Sequence, residues 1–249
     1  MIQYQYDNKN IIKKRAYITQ EFMKLSPNIK SKRIKEISPE DIKILFELYD
    51  KVFLNKHLEN NFPGNFKFSL SKRMTRSAGL TLCPKNIGER KPEEVIIEIR
   101  IGVNFFFQYH LLERDKKVCE IQSHHALEAL QLVLEHEICH VIEFIYFHQS
   151  SCKGNQFKTI ARNLFGHTSS YHELPSNREI AKEKFNLHIG DKITFDFEEK
   201  ILEGMIYAIN KRATVMVPDK KGQYADKEGN KYNKYYVPVG KIKKCEIKG

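Results

Sequence analysis

The chain has no stretch approaching the ~20 consecutive apolar residues that a membrane-spanning helix needs. Its opening residues, Met1-Ile2-Gln3-Tyr4-Gln5-Tyr6-Asp7, lack the apolar core of a secretory signal, so a cytoplasmic protein without a membrane partner is expected. Cysteine is sparse. Cys83, Cys119, Cys139, Cys152 and Cys245 are scattered, odd in number and contain no Cys-x-x-Cys pair, which excludes a disulfide framework and a zinc ribbon. Internal repeats and low-complexity tracts are absent as well. What is present is a hydrophobic content of 41% in 249 residues, enough for a real core in one medium domain with an appendage. The net charge of +11 sits at the two ends. Residues 1–38 carry +6 and residues 211–249 carry +7, which leaves −2 for the middle. Basic ends on a near-neutral middle suit a polyanion such as DNA or RNA.

The most informative stretch is His136-Glu137-Ile138-Cys139-His140, inside a run from Ala126 to Ile145 without Gly or Pro. The polar positions Glu128, Gln131, Glu135 and His136 recur with helical period, so the run predicts a mostly buried helix. Residues four apart share one helix face, with Cβ atoms roughly 6 Å apart. Two imidazoles so placed can both reach one Zn²⁺ at about 2.0–2.1 Å. Glu137 lies beside the first of them, where its carboxylate can take a proton from a water that the ion polarises. Five residues thus offer two ligands and a general base.

The remaining pattern is α+β. Ser38-Pro39-Glu40-Asp41 is a helix start, with Ser as N-cap, Pro at the first position and acids in the first turn. The helix it opens should run to about Leu54 or Leu58. Phe66–Leu70, Ala78–Leu82 and Val95–Ile99 read as strands of a small sheet. Phe105-Phe106-Phe107 belongs to a further helix, and Asp115-Lys116-Lys117 marks a loop before the histidine helix. A loop over residues 149–155 precedes a short amphipathic helix through Phe157, Ile160, Ala161 and Leu164, stopped by Gly166. From about residue 186 the period changes to alternation, over Ile189–Phe197, Leu202–Ile209, Ala213–Val217 and Tyr235–Val239. The expected organisation is a basic N-terminal arm (1–38), a helix-and-sheet domain (39–185) and a small SH3-like β-barrel (186–249) able to bind nucleic acid.

These residues resemble the SprT-like metalloproteases, which include the Spartan proteases. Leu48 to Leu58 is similar to the family's first helix. Ser71 to Thr81, with its basic-Met-Thr turn and Ala78-Gly79 step, is similar to the strand pair. Val95 to Ile99, His136 to His140 and Gly154-x-x-Phe157 complete the match, over roughly residues 40–172. The resemblance implies a zinc-dependent endopeptidase with a protein substrate. Better-known members degrade proteins crosslinked to DNA, so DNA is an implied partner and Lys72, Arg73 and Arg76 are candidate phosphate contacts. The alternative is a nucleic-acid-binding scaffold of the same fold with impaired catalysis. One departure raises it: the family has a third histidine directly before the Gly, and this chain has Lys153, which offers no lone pair when protonated. Cys152 is the first candidate for the third ligand, since a thiolate binds Zn²⁺ well. His167 and His172 are the alternatives. Glu143, one turn past His140, is placed to support a ligand rather than to be one.

Overall fold

A computed structural model describes residues 4–245. They fall into two compact units that divide between Leu174 and Pro175. In the first unit, α1 (Asn8–Leu25) is capped by Asp7, whose carboxylate accepts from the Asn10 amide at 2.7 Å. Its Ile11, Ile18 and Phe22 lie on one face and are buried. Within the segment expected as a basic arm, α1 is thus a packed helix: its basic residues hid an apolar stripe at helical spacing. Ser26 and Pro27 end it, and Asp41 anchors the connection to the next helix. That buried carboxylate accepts from the Ser26 hydroxyl and from Asn28 Nδ2, the latter at 2.7 Å.

Helix α2 (Pro39–Leu54) starts at the expected signal, with a capping box between Ser38 and Asp41. It stops where Asn55 and Lys56 turn left-handed, and α3 (His57–Asn61) comes next. Asp50 accepts from the Leu58 and Glu59 amides in the first turn of α3, each at 2.9 Å. The three strands β1 (Asn65–Ser71), β2 (Gly79–Leu82) and β3 (Ile96–Gly102) form a sheet in the order β1-β3-β2. β1 runs parallel to β3, and β2 antiparallel to it. β2 is thus an edge strand. A short helix, α4 (Asn104–Phe107), buries Phe105 and Phe106.

The expected loop before the long helix is a hairpin, β4 (Lys116–Val118) and β5 (Ile121–Ser123). Cys119 and Glu120 make its tip with φ of 52° and 67°. Such a turn favours Asn-Gly, so Cys-Glu gave no signal for it. Helix α5 (Ala126–Phe147) then crosses the core with fifteen buried residues, and α6 (Asn155–Phe165) ends at Gly166 with φ 69°.

The second unit opens with α7 (Asn177–Phe185), capped by Ser176. Its strands are β6 (Lys192–Phe197), β7 (Lys200–Ile209), β8 (Ala213–Pro218), β9 (Tyr224–Ala225), β10 (Lys231–Val237) and β11 (Lys243–Lys244). They pair antiparallel in the order β11-β6-β7-β8-β10-β9. β9 and β11 are the edges and do not pair with each other among the described residues, so the strands expected as a small SH3-like barrel form one six-stranded antiparallel sheet. Ile193, Phe195, Ile206, Val215 and Val237 line its apolar face with Ala181 and Leu187. Because Ala181 belongs to that cluster, α7 falls with the sheet, and the unit begins before residue 186.

Candidate metal centre and active site

Helix α5 presents His136 and His140 side by side, as the four-residue spacing requires. Their Nε2 atoms are 3.1 Å apart. Two nitrogens on one tetrahedral Zn²⁺ at about 2.1 Å lie about 3.4 Å apart, so the pair needs little adjustment to share an ion. Phe157, at the start of α6, lies against both imidazoles with centroids 4.8 and 4.5 Å away. The Gly154-x-x-Phe157 spacing therefore serves to seat the two rings.

The hydrogen bonds of His140 set its tautomer. Ser150 Oγ donates to Glu143 Oε2 at 2.5 Å, and its single proton is spent there. The same oxygen accepts from His140 Nδ1 at 2.6 Å, which leaves the Nε2 lone pair facing His136. Glu143 thus reaches His140 through Ser150. On the other edge of His136, Nδ1 lies 3.6 Å from Cys119 Sγ at the hairpin tip. Burial, with His140 next, holds His136 down to about 3, and burial holds His140 down to about 4. Both rings are neutral at physiological pH, the form that coordinates metal.

Glu137 points away from the histidines' other neighbours and into β2. Its carboxylate sits against the bare Cα of Gly79; a Cβ there would be 2.3 Å from Oε1. Thr81 Oγ1 donates to Oε2 at 2.7 Å. Burial raises Glu137 to about 7, with the Thr81 bond opposing the rise. A carboxylate poised near neutrality suits a general base. The Ala78-Gly79 step thus has a physical role: a residue without a side chain lets strand backbone come this close to the acid.

A second buried carboxylate, Glu135, lies one residue before His136. It accepts from Arg15 Nε at 2.7 Å, Arg15 Nη2 at 2.6 Å and Tyr49 Oη at 2.8 Å. Its fourth partner is His167 Nε2 at 2.8 Å. Burial alone would raise it, but Arg15 and His167 bring it down to about 2. An ionised carboxylate only accepts, so His167 Nε2 carries the proton and Nδ1 carries a lone pair. That Nδ1 is buried and has no hydrogen-bond partner. Among the described residues, the trio whose ligand atoms all lie within 4.8 Å of one another is Cys119, His136 and His167.

The candidates named from the sequence do not all meet. His136, His140 and Glu137 are together, and His167 approaches His136 from the turn after α6. His172 lines a cavity of about 60 Å³ with His136, Glu137, Gly79 and Cys119. Burial lowers its pKa, and the Arg76 backbone opposes the fall. Cys152 is half-buried and borders a different cavity, of about 80 Å³, with His167 and Ser169. It is not in the trio. Lys153 is exposed. Lys72 and Arg73 are exposed on the turn between β1 and β2, as is Arg76. Cys119, Thr81 and the Arg15–Glu135 pair carried no sequence signal as site residues: each reaches α5 across 17, 56 and 120 positions of chain.

No curated protein and no solved structure matches the chain. The sequence pattern of one family does match, that of the SprT-like family, over residues 45–177, which is more than half of the 249 residues.

Proposed function

The chain belongs to the SprT-like family, and on that premise we propose that it is a zinc-dependent endopeptidase. The observation that carries this reading is the pairing of His136 and His140 at 3.1 Å beside a buried carboxylate held near neutrality. Zn²⁺ would be held by Nε2 of His136, Nε2 of His140 and Nδ1 of His167. The donors are of the right kind: each of the three rings is buried or half-buried, two have a fixed lone pair, and His167 Nδ1 has no other partner, while the described trio within 4.8 Å joins His167 to His136 and Cys119 and does not include His140. His167 is preferred over Cys152 because it stands in the trio with His136 and Cys152 does not. Cys119 would then accept from His136 Nδ1–H and fix that tautomer.

A zinc ion bound there supplies Lewis acidity toward a water and a peptide carbonyl. Glu137 accepts the water's proton on its carboxylate and returns it to the leaving amine. Thr81 and Gly79 hold that carboxylate in place. The edge strand β2 bounds the site on the side of Glu137. The substrate reading extends to DNA-associated or DNA-crosslinked proteins, supported by the exposed Lys72, Arg73 and Arg76 on the turn that leads into β2 and by the basic ends of the chain.

Lys153 favours the second reading, a scaffold without catalysis. Elemental analysis of protein purified without chelator separates the two, together with cleavage of an unfolded protein such as casein in the presence of DNA. The peptidase binds about one zinc per chain, the ratio of a single site, and Glu137→Gln keeps the zinc while abolishing cleavage. His167→Ala loses zinc, whereas Cys152→Ala keeps it. A wild-type protein without zinc sinks the peptidase reading in favour of the scaffold.

A further inference from the structure

Two buried imidazole nitrogens near the site have no partner, His167 Nδ1 and His172 Nε2. They are not equivalent. His167 gives its proton to Glu135, so its free atom is a lone pair. His172 carries its proton on the same nitrogen but has the other one engaged: its Nδ1 accepts from the Leu174 amide at 3.3 Å, so the proton resides on Nε2. The unpartnered atom of His172 is therefore an N–H: the Arg76 backbone lies near enough to favour the protonated ring, but no acceptor meets hydrogen-bond geometry at Nε2. A metal ligand needs a lone pair, and a donor buried without an acceptor costs free energy unless something arrives to accept it.

The ring is held firmly. An antiparallel bridge joins His172 to Val118, with flanking bonds from Cys119 N to Tyr171 O and from Glu173 N to Lys117 O, each 2.8 Å. Phe105 meets the ring edge-on at 4.9 Å. The cavity that His172 borders is the one bordered by His136, Glu137 and Gly79. Tyr171 borders it too, but its hydroxyl is spent on Glu120 at the exposed surface.

We propose that His172 is a catalytic residue, the donor that binds the carbonyl oxygen of the scissile peptide as it becomes negative. This rests on the peptidase reading above. When water oxygen adds to the carbonyl carbon, the π electrons of C=O move onto oxygen and the water's proton goes to Glu137. His172 Nε2–H hydrogen-bonds that oxygen and keeps its own proton. The C–N bond then breaks, C=O reforms, and the proton on Glu137 goes to the amine nitrogen. His172 supplies a fixed dipole where charge develops, at no cost of reorganisation.

The test uses the full chain loaded with zinc and unfolded casein as the probe. His172→Ala should lower kcat about 10²–10³-fold, the range for losing one oxyanion donor, with KM little changed. Zinc should stay at the wild-type ratio, and His172→Gln, which keeps an N–H donor, should recover part of the rate. Nitrogen-15 NMR of the wild type, independent of turnover, should place the His172 proton on Nε2. Loss of zinc in His172→Ala, a lone pair on Nε2, or a kcat equal to wild type would each overturn the assignment. Cleavage retained by Glu137→Gln would instead strike the peptidase reading itself, so the two failures are distinguishable.

Discussion

Arg15 makes a sharp test, because it lies outside the family's matched segment and yet reaches the centre of the fold. Its side chain is 13% exposed and that of Glu135 is fully buried. Arg15→Ala removes two of the four donors on that carboxylate and leaves Tyr49 and His167. Stripping one partner from a buried ion pair costs about 3–5 kcal/mol, since an uncompensated charge stays behind. For a unit of this size that lowers Tm by about 10 °C. The pH dependence carries the sign. In the wild type Glu135 is held at about 2, below the ~4.3 of an unfolded chain. Its contribution is therefore present above about pH 4.3 and lost as pH falls toward 2. In Arg15→Ala burial dominates and the carboxyl favours its neutral form. The deficit relative to wild type should be largest near pH 7 and shrink toward pH 3. Adding Glu135→Gln should recover part of the loss by removing the orphaned charge. Urea and thermal unfolding of the first unit's transition, monitored by near-ultraviolet circular dichroism, read all of this. A deficit below ~1 kcal/mol, or one unchanged between pH 7 and pH 3, would refute the account of α1 as a structural clamp on α5.

The same geometry sets further outcomes. In chelator-treated protein, Glu137→Gln should be more stable than wild type at pH 8 and lose that advantage by pH 5. The folded pKa of about 7 lies above the unfolded value, so the buried charge costs stability only as pH rises through that interval; equal stability at pH 8 would contradict it. Gly79→Ala should leave zinc content near wild type, destabilise the fold by about 1–3 kcal/mol through overpacking, and lower kcat/KM about 100-fold. Its Cβ would stand 2.3 Å from Glu137 Oε1, and a displacement of about 1 Å in a reacting group costs that much. Unchanged kinetics would mean that Glu137 does not act from this position.

Much of the first unit was legible in the chain. Ser38-Pro39 opens α2, the alternating runs become β1, β2 and β3, and the four-residue histidine spacing delivers a shared face, because each of these is a local rule with a fixed period. The errors fall where local rules conflict or are silent. Lys and Arg masked the apolar stripe of α1. Cys119-Glu120 is poor turn chemistry and so hid the β4–β5 hairpin, whose pairing is stabilised by the isolated bridge from Val118 to His172 and by its seat on α5. The alternation in the last third of the chain specified strands but not closure, since closure depends on whether the edge strands meet.

Sequence by itself determined which residues carry lone pairs and carboxylates, and that His136, Glu137 and His140 share neighbouring turns of one helix, because 3.6 residues per turn leaves no freedom at that spacing. Tertiary structure alone decided what surrounds them. It brought Gly79 and Thr81 onto Glu137, aimed Arg15 and His167 at Glu135, and left a lone pair unpartnered on one histidine and an N–H on another by handing the first a carboxylate and the second a backbone amide. Those choices depend on which distant segments pack together and which proton finds an acceptor, and no local pattern encodes either.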